Sequence, residues 1–552
     1  MRDAAHERLR CDRRDVILFP VDGNVSLSKL QTFCFQEATA VFSESNEIQG
    51  AVLGDEGLNV MCCDFWSSLV GVQSPLTATL LISIVAAVLG SLQTGYQTGD
   101  VNAPAKIIEE FFNTTWTSRH NGSMPDHSLT FLWSVSVSIK DFGALLGSLG
   151  VKVLTDTFGR RTSILAANTL SVLGAGLMFL SKASASFEML IVGRLVFGLF
   201  CGLVMSLNPL YIQEVSPTEL RGAFATLNQV SFASGIFLGM VVGLDVVLGT
   251  QKHWALMFSL SLVPALLQFA VLPFCPESPR YLLISCGREA QAQTALRQLR
   301  RTSGEVLKEL EEMKEEASHS QRRVTLREFL SKRSYRQPIF IVLVVNLGSQ
   351  LSGFNAIINY STKMFSKSGF EEAKYLTVGV GAVNVMFTLV AFFLVERVGR
   401  RRLLLTGFLS LAACNLLMTI TDSLLRVVPD LRSLQVLVVF FLISAYEAGP
   451  GPISWFIGAE LFDQPARPIA MAFTSMLNWG GKFLLALLFP PLLKVCGPYV
   501  YLVFVLVALV AFSYTLLRLP ETKGRTFDDI ASEFRGAEGL PLCSKSGFNT
   551  LT

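Results

Sequence analysis

Seven polar or amphipathic side chains lie inside long apolar runs of this sequence, where their hydrogen-bonding groups need partners. They are Gln229, Gln350, Asn355, Asn384, Glu447, Trp455 and Asn478. Amide and carboxylate groups donate or accept hydrogen bonds, and lipid tolerates them only where they face a protein interior or a water-filled cavity. We interpret these residues as the lining of a central binding cavity. The alternative is that each amide merely bridges two helices.

Two of the apolar runs are interrupted beside these residues. Gly353 lies between Gln350 and Asn355, and a Gly-Pro-Gly-Pro sequence at 449–452 follows Glu447. Proline removes a helical hydrogen bond, and glycine lets the backbone flex. Irregular helices at membrane depth are typical of binding sites and of moving elements.

Four charged residues also occupy apolar runs: Asp100, Lys140, Asp141 and Lys482. Charges are energetically costly in a bilayer core and are usually paired or functional there. We hypothesise that these four form compensating pairs within or beside the cavity. The alternative is that they lie near enough to the membrane surface to reach water.

The composition indicates which elements position these side chains. Of the 552 residues, 51% are apolar and only 16% are charged, whereas soluble domains average about 25% charged residues. The apolar half amounts to roughly 280 residues, and twelve membrane helices of about 20 residues would use about 240 of them. This predicts an all-α protein that crosses the lipid bilayer many times and argues against a soluble enzyme.

Other classes of function find no support in the sequence. The net charge of +3 is too small to indicate a nucleic-acid partner, and the ten cysteines show no CxxC or Cys/His spacing. The sequence contains neither a phosphate-binding GxxxxGK loop nor an HExxH metal motif. We therefore predict no enzymatic activity, no cofactor and no metal site.

Apolar runs of about 20 residues follow one another in two sets of six, separated by a charged insert. In the insert, leucines recur at helical spacing among charged residues, which predicts amphipathic helices in water. The predicted parts are a cytoplasmic N-terminal extension 1–75, a six-helix bundle 76–275, an intracellular helical domain 276–336, a second six-helix bundle 337–519 and a cytoplasmic tail 520–552.

The distribution of lysine and arginine predicts the orientation in the membrane. The insert and the two turns that contain Arg160 and Arg400 are rich in these residues. We therefore place these surfaces, and both termini, in the cytoplasm. The loop after the first run then lies outside, and it carries two glycosylation sequons, at Asn113 and Asn121.

Three charged motifs occur in the same order in both halves of the chain, which indicates two related bundles. Their residues are Arg160, Arg161, Glu214, Arg221, Glu277 and Arg280 in the first half and Arg400, Arg401, Glu460, Arg467 and Glu521 in the second. Acids and arginines at cytoplasmic helix ends can form ion pairs that hold one conformation and break in another, which predicts a gate. The alternative is that these charges only anchor the helix ends.

The ordered motifs GRR, GRLVFG, PESPR, QLSGFNA, GPGPISWF and PETKGRTF resemble those of the sugar porters of the major facilitator superfamily, and among them the facilitative glucose transporters. The resemblance covers about residues 76–535. It implies a glycosylated multi-pass protein of the plasma membrane. The implied activity is uniport of a hexose by alternating access, with D-glucose as the expected substrate. It also implies that Gln350 and the asparagines bind sugar hydroxyls while Trp455 lies beside the sugar ring.

Two departures from the family pattern leave alternatives open. Ser349 stands where the family usually has a second glutamine, so one hydrogen bond to the sugar is expected to be lost or moved to water. Gln97 stands where related proton-coupled symporters have an acid, beside the arginine that matches Arg194. An amide cannot titrate, which favours uniport, but Asp100 and Asp141 leave symport open. The weakened site and the long extension also leave open a sensor that binds sugar without transporting it.

Overall fold

The computed structural model describes residues 77–120, 122–217, 221–319, 324–424, 428, 431–462 and 466–523. The predictions for the extension 1–75, for Asn121 and for the tail beyond residue 523 lie outside the described residues. Arg221 begins a helix, but its side chain is likewise outside the description.

All regular secondary structure in the described ranges is helical. In chain order the α-helices are α1 Ala78–Gly99, α2 Ala105–His120, α3 Asp126–Phe158, α4 Arg160–Ala183, α5 Phe187–Val215, α6 Arg221–Val242, α7 Trp254–Ser259, α8 Leu262–Val271, α9 Glu289–Leu299, α10 Ser303–His319, α11 Leu326–Ser331, α12 Arg333–Gln350, α13 Phe354–Lys367, α14 Ala373–Val398, α15 Arg400–Leu424, α16 Leu431–Ala448, α17 Pro450–Leu461, α18 Arg467–Cys496 and α19 Val500–Arg518.

Ten stretches of the described chain are long and apolar enough to cross a membrane. One of them, Ile469–Arg518, covers most of α18 and all of α19, and the shorter apolar stretch Thr226–Val242 belongs to α6. With this division the helices form the predicted two sets of six spans. The all-α membrane fold is thereby confirmed.

Close backbone contacts hold the helices of the first bundle together, with α3 packed along α5 and α1 along α6. Glycine makes this approach possible. A Cβ atom added at Gly202 on α5 would lie 1.9 Å from the carbonyl oxygen of Ala144 on α3. One added at Gly95 on α1 would lie 2.0 Å from the carbonyl oxygen of Phe232 on α6. A larger side chain at either position would force the two helices apart.

The two bundles meet along two helix pairs, α3 with α18 and α6 with α14. Polar contacts also join them at the end opposite the insert. The Asn102 side chain donates to the carbonyl oxygen of Ile358 at 2.7 Å and to the hydroxyl of Ser361 at 2.8 Å. Lys363 forms an ion pair with Glu109, with 2.9 Å between Nζ and Oε1. This end of the interface is therefore closed.

Two membrane helices are interrupted where the sequence predicts. Gly353, between α12 and α13, has a φ of 94°, in the left-handed region that favours glycine. A Cβ atom there would lie 2.8 Å from the ring of Phe504 and 2.9 Å from the amide oxygen of Asn415. The second break lies at Gly449, and Pro450 then begins α17, a position where its missing N–H leaves no helical hydrogen bond unmade.

The chain between the bundles forms the short helices α9, α10 and α11. Leu296 of α9 packs against apolar residues of α10, as amphipathic helices require. Arg300, which follows α9, forms an ion pair of 2.8 Å with Glu309 and donates to the carbonyl oxygen of Val215 at 2.9 Å. The second contact ties these helices to the C-terminal end of α5.

Candidate functional site

A small cavity lies between the two bundles, and three of the residues singled out from the sequence line it: Asp141, Asn355 and Lys482. Its full lining is Thr98, Asp141, Phe232, Ile236, Phe354, Asn355, Ile358, Asn359, Trp479 and Lys482. The volume is about 10 Å³, which is room for about one water molecule. The bundles are therefore closed around this cavity, and a larger ligand requires them to separate.

A larger cavity of about 320 Å³ lies between α2 and the starts of α3 and α5. Aromatic residues such as Trp116, Phe131 and Phe187 line it. It contains none of the predicted site residues and offers few polar groups. The small cavity and the polar side chains around it are therefore the candidate functional site.

Three of the predicted site residues form one hydrogen-bonded group in the second bundle. The Gln350 amide at the end of α12 donates to the side-chain oxygen of Asn478 on α18 at 2.7 Å. Its own side-chain oxygen accepts from Asn355 on α13 at 2.8 Å. All three side chains are buried. The break at Gly353 makes this possible, because it allows Gln350 and Asn355 to turn towards each other.

Glu447 organises a second group. Its carboxylate accepts a hydrogen bond from Asn384 at 3.1 Å and another from Thr388 at 3.2 Å, both on α14. Tyr446, the preceding residue, links the two groups, because its hydroxyl accepts from Gln350 at 3.4 Å. Thr388 and Tyr446 escaped the sequence analysis. Two signals in the sequence could have identified them. Thr388 follows Asn384 by four residues, which is one helical turn, and Tyr446 directly precedes Glu447.

The remaining two predicted site residues lie outside these groups. Trp455 on α17 packs edge-on against Trp479, with 5.8 Å between the ring centroids. Gln229 is half-buried on α6, in the first bundle. The structure thus gathers five of the seven predicted residues into connected groups and leaves Trp455 and Gln229 at their periphery.

The hypothesis of compensating pairs among the four membrane charges is correct for one pair only. Lys140 lies 3.5 Å from Asp141 and donates to the hydroxyl of Thr98 at 2.6 Å. Asp100 instead faces Arg194 of α5, with 3.9 Å between Oδ1 and the guanidinium nitrogen. Sequence reasoning missed this partner because α1 and α5 are distant in the chain and meet only in the packed bundle.

The prediction that Lys482 belongs to one of these pairs is also wrong. Its ammonium lies over three aromatic rings, at 5.0 Å from the centroid of Phe232, 5.3 Å from Trp455 and 4.8 Å from Trp479. None of the ion pairs found among the described residues includes it. Rings on α6, α17 and α18 converge on this position, and no sequence periodicity reveals such a convergence.

The charged motif of the first bundle connects helices of that bundle to one another. Arg160 forms an ion pair with Glu214, with 2.9 Å between Nε and Oε2. Glu277 accepts hydrogen bonds from the backbone N–H groups of Arg160 and Arg161, at 2.9 and 3.0 Å. A carboxylate at the start of α4 satisfies unpaired N–H groups and complements the positive end of the helix dipole. Arg280 is half-buried just beyond this carboxylate.

The second bundle repeats this arrangement. Arg400 pairs with Glu460 at 3.1 Å, and Glu521 accepts from the backbone N–H groups of Arg400 and Arg401 at 2.9 and 3.2 Å. The hydroxyl of Thr522 adds a hydrogen bond to Glu460 at 2.6 Å. Ser278 donates to Glu214 in the same way in the first bundle. Arg467 begins α18 and is half-buried.

The predicted glycosylation residue Asn113 lies on α2, a helix that is not one of the membrane spans. Its side-chain oxygen accepts a hydrogen bond from the backbone N–H of Met124 at 3.0 Å. The residue is half-buried, and the neighbouring Thr114 of its sequon is exposed.

Comparison with known proteins adds a family match. The family model described as "Sugar (and other) transporter" matches residues 82–534. The solute carrier family 2 facilitated glucose transporter member 1 of Gallus gallus is 46% identical over 464 residues, which are 84% of this chain and 94% of that protein. Member 3 of Homo sapiens is 44% identical over 475 residues, which are 86% of this chain and 96% of that protein.

Solved structures with the same fold include the proton:xylose symporter XylE bound to 6-bromo-6-deoxy-D-glucose. It superposes with a TM-score of 0.69 at 23% identity and covers 83% of this chain and 99% of that one. An inward open conformation of XylE from E. coli gives a TM-score of 0.68 at 23% identity, with 82% and 99% coverage. At this identity the likeness is one of fold.

Proposed function

Because this chain belongs to the sugar transporter family, we propose that it carries a hexose across the membrane by facilitated transport, with D-glucose as the expected substrate. The observation that carries the proposal is the identity of 46% and 44% to facilitated glucose transporters, over 84% and 86% of the chain. The protein is a multi-pass membrane protein, and its activity is transport and not catalysis.

The sugar is bound from the second bundle. Gln350, Asn355 and Asn478 offer both donors and acceptors to hydroxyl groups, and they exchange their mutual hydrogen bonds for bonds to the sugar. Asn384 and Glu447 support the same wall, and Trp455 offers an aromatic face to the ring. Gln229 approaches the sugar from the first bundle. Binding requires the closed bundles to separate at one end, which is the alternating step of transport.

The charged motifs at the cytoplasmic ends act on this step. The pairs Arg160–Glu214 and Arg400–Glu460 join helices within one bundle, so they keep each bundle rigid while it moves against the other. The carboxylates of Glu277 and Glu521 fix the starts of α4 and α15 in the same way. The remaining arginines of the motifs also take part in opening and closing this end; they are Arg161, Arg221, Arg280, Arg401 and Arg467.

The proposed location is the plasma membrane, with both termini in the cytoplasm and with Asn113 and Asn121 as glycosylation sites outside. Expression of the full chain with Asn113→Gln, Asn121→Gln or both, followed by glycosidase treatment, tests the outer position of this loop. Loss of the glycosidase-sensitive mass shift in the double variant supports the proposed orientation. A chain that never shows the shift argues against an outer position of the loop.

Counterflow in liposomes tests the transport function. Purified full-length protein is placed in vesicles loaded with unlabelled D-glucose, and labelled D-glucose is added outside. A uniporter produces transient accumulation of label above equilibrium, because the exchange is driven by the internal sugar. A sensor that binds without transporting produces none, and that result would overturn the proposal.

Proton-coupled symport is the second candidate, and the position of Asp100 favours it. Both carboxylate oxygens of Asp100 are buried without a hydrogen-bond partner among the described residues, 3.9 Å from Arg194 at the closest. Gln97, which occupies the position of the acid in related symporters, carries no charge. Uptake at a fixed sugar gradient, with and without an imposed pH gradient, separates the two: symport predicts stimulation by inward proton flow, and uniport predicts none.

A further inference from the structure

Lys482 places a positive charge at the wall of the central cavity. The side chain is buried, and its ammonium lies 4.8 to 5.3 Å from the centroids of three aromatic rings. Aromatic faces attract a cation through their quadrupole, and more strongly where water is excluded. The rings of Phe232, Trp455 and Trp479 therefore hold the ammonium in a defined place. They contribute no negative charge to neutralise it.

The acids around the cavity are already engaged by other groups. Asp141, which shares the cavity wall with Lys482, lies 3.5 Å from Lys140. Glu447 accepts hydrogen bonds from two side chains of α14. The carboxylate at the end of α1 faces the guanidinium of Arg194. Among the described residues, no carboxylate lies within ion-pair distance of Lys482, and Asp141 and Glu447 attract its charge only from farther away. The ammonium is therefore open to a direct ion pair with a ligand.

The three N–H groups of this ammonium are also free of hydrogen bonds to described residues. An ammonium is a strong donor, and a carboxylate is its strongest common acceptor. In a site from which water is largely excluded, attraction and repulsion between charges are stronger than in bulk water. A ligand whose negative group contacts this ammonium is therefore stabilised, and a ligand that places a positive group there is destabilised.

We propose that Lys482 makes the cavity selective for monosaccharides that carry a carboxylate, of the hexuronate or aldonate class, and against protonated amino sugars. This inference rests on the proposed function, since it assigns an additional substrate class to the same site. Neutral hexoses remain substrates, because their hydroxyl oxygens also accept hydrogen bonds from an ammonium.

Competition in liposomes tests the inference with the full-length protein. Counterflow of labelled D-glucose is measured at about pH 6, where D-glucuronate is ionised and D-glucosamine is protonated. In the wild type, glucuronate should inhibit at about tenfold lower concentration than in Lys482→Gln, and glucosamine should inhibit more weakly by a similar factor. Lys482→Arg keeps the positive charge and should retain the wild-type order of the two inhibitors.

Lys367→Gln serves as the matched control, because it removes an exposed lysine at the end of α13, away from the cavity lining. It should leave both inhibition constants unchanged. Equal inhibition by glucuronate in the wild type and in Lys482→Gln, with normal glucose counterflow, would overturn the inference and leave the proposed function standing.

Absence of counterflow with glucose in every variant would instead contradict the proposed function. In that case, binding of D-glucuronate to the purified wild type and to Lys482→Gln is measured by calorimetry. Binding that depends on the lysine supports the inference, and equal or absent binding overturns it.

Discussion

Two stretches with matching polar residues lie in opposite bundles and are held in different ways. Residues 95–103 read GYQTGDVNA, and residues 348–356 read GSQLSGFNA. In the first stretch the Gln97 amide donates to the carbonyl oxygen of Phe258 at 3.0 Å, inside its own bundle. In the second stretch the Gln350 amide faces two other amides beside the cavity. The same residue type therefore fastens helices in one bundle and remains exchangeable in the other.

The two asparagines of these stretches differ in the same sense. Asn102 reaches across the interface, donates to Ile358 and Ser361, and accepts from the backbone N–H of Thr362 at 3.1 Å. Asn355 stays within its own bundle at the cavity wall. The first stretch thus closes the end of the interface opposite the insert, whereas the second places Asn355 at the cavity wall. An internal repeat can conserve residue types while dividing closure and recognition between its copies.

The largest loss of stability is expected from a substitution of Asp100. It is the one charged residue in the two stretches, and Gly353 occupies the matching position in the second stretch. Asp100→Asn would leave Arg194 buried without its closest carboxylate, which costs about 3–5 kcal/mol of stability when a buried pair is broken. We expect a marked fall in the melting temperature of the purified protein. The double variant Asp100→Asn with Arg194→Gln should recover most of it, and an unchanged melting temperature in the single variant would show that the pair is not structural.

The division between closure and recognition is tested by the two glutamines. Gln350→Ala removes the centre of the amide group and takes one side-chain hydrogen bond from each of two buried amides, so sugar uptake should fall about thirtyfold or more, which is about 2 kcal/mol. Gln97→Ala should reduce the amount of folded protein and change the affinity for sugar by less than about threefold. Inhibition constants measured on equal amounts of folded protein check both. Similar losses of affinity in the two variants would contradict the comparison.

Gly353→Ala sharpens the conformational side of the comparison. The positive φ is strained for alanine, and its Cβ would lie 2.8 Å from Phe504, so we expect a loss of about 1–2 kcal/mol. The matched control is Gly176→Ala on α4, where a Cβ would meet nothing within 4 Å and helix propensity favours alanine. The melting temperatures of both purified variants are compared with that of the wild type. If Gly176→Ala lowered the melting temperature as much as Gly353→Ala, the loss could not be attributed to the backbone break at Gly353.

The smallest effect is expected at the exposed ion pair between Asp245 and Lys374, with 3.0 Å between Nζ and Oδ2. The hydrogen bond from Lys374 lowers the pKa of Asp245. The pair therefore stabilises the folded protein above the ordinary aspartate pKa of about 3.9, and this contribution is lost as the pH falls through the lower folded value. Both side chains are well exposed, so the contribution is below about 1 kcal/mol.

The measurement is the melting temperature of the wild type and of Asp245→Asn across a range of pH. The wild type should be slightly more stable near pH 7, and the difference should vanish in acid. A difference that grows as the pH falls would contradict the assignment.

The sequence predicts the helices and their breaks well, because both depend on local signals. Runs of apolar residues specify the spans, and Gly353 and the prolines after Gly449 specify the interruptions. The charged motifs could be matched between the halves because they repeat in order. These features need no knowledge of how one helix is rotated against another.

The partners inside the bundles could not be predicted in the same way. Asp100 faces Arg194, and Lys482 lies among three rings, because helices distant in the chain present these faces to each other. Tyr446 links the two polar groups for the same reason. A list of buried polar residues names the candidates for contact, but only helix rotation and depth decide which of them meet.

The carboxylate of Glu521, which caps the start of α15, has a practical consequence for protein engineering. Glu521 holds two backbone N–H groups, and Thr522 reaches Glu460, so the last residues after α19 complete the second bundle. A chain shortened to end at Arg518 would retain every membrane helix and still lose this cap. Truncations and fused reporter domains should therefore be placed after residue 523, so that the bundle keeps this cap.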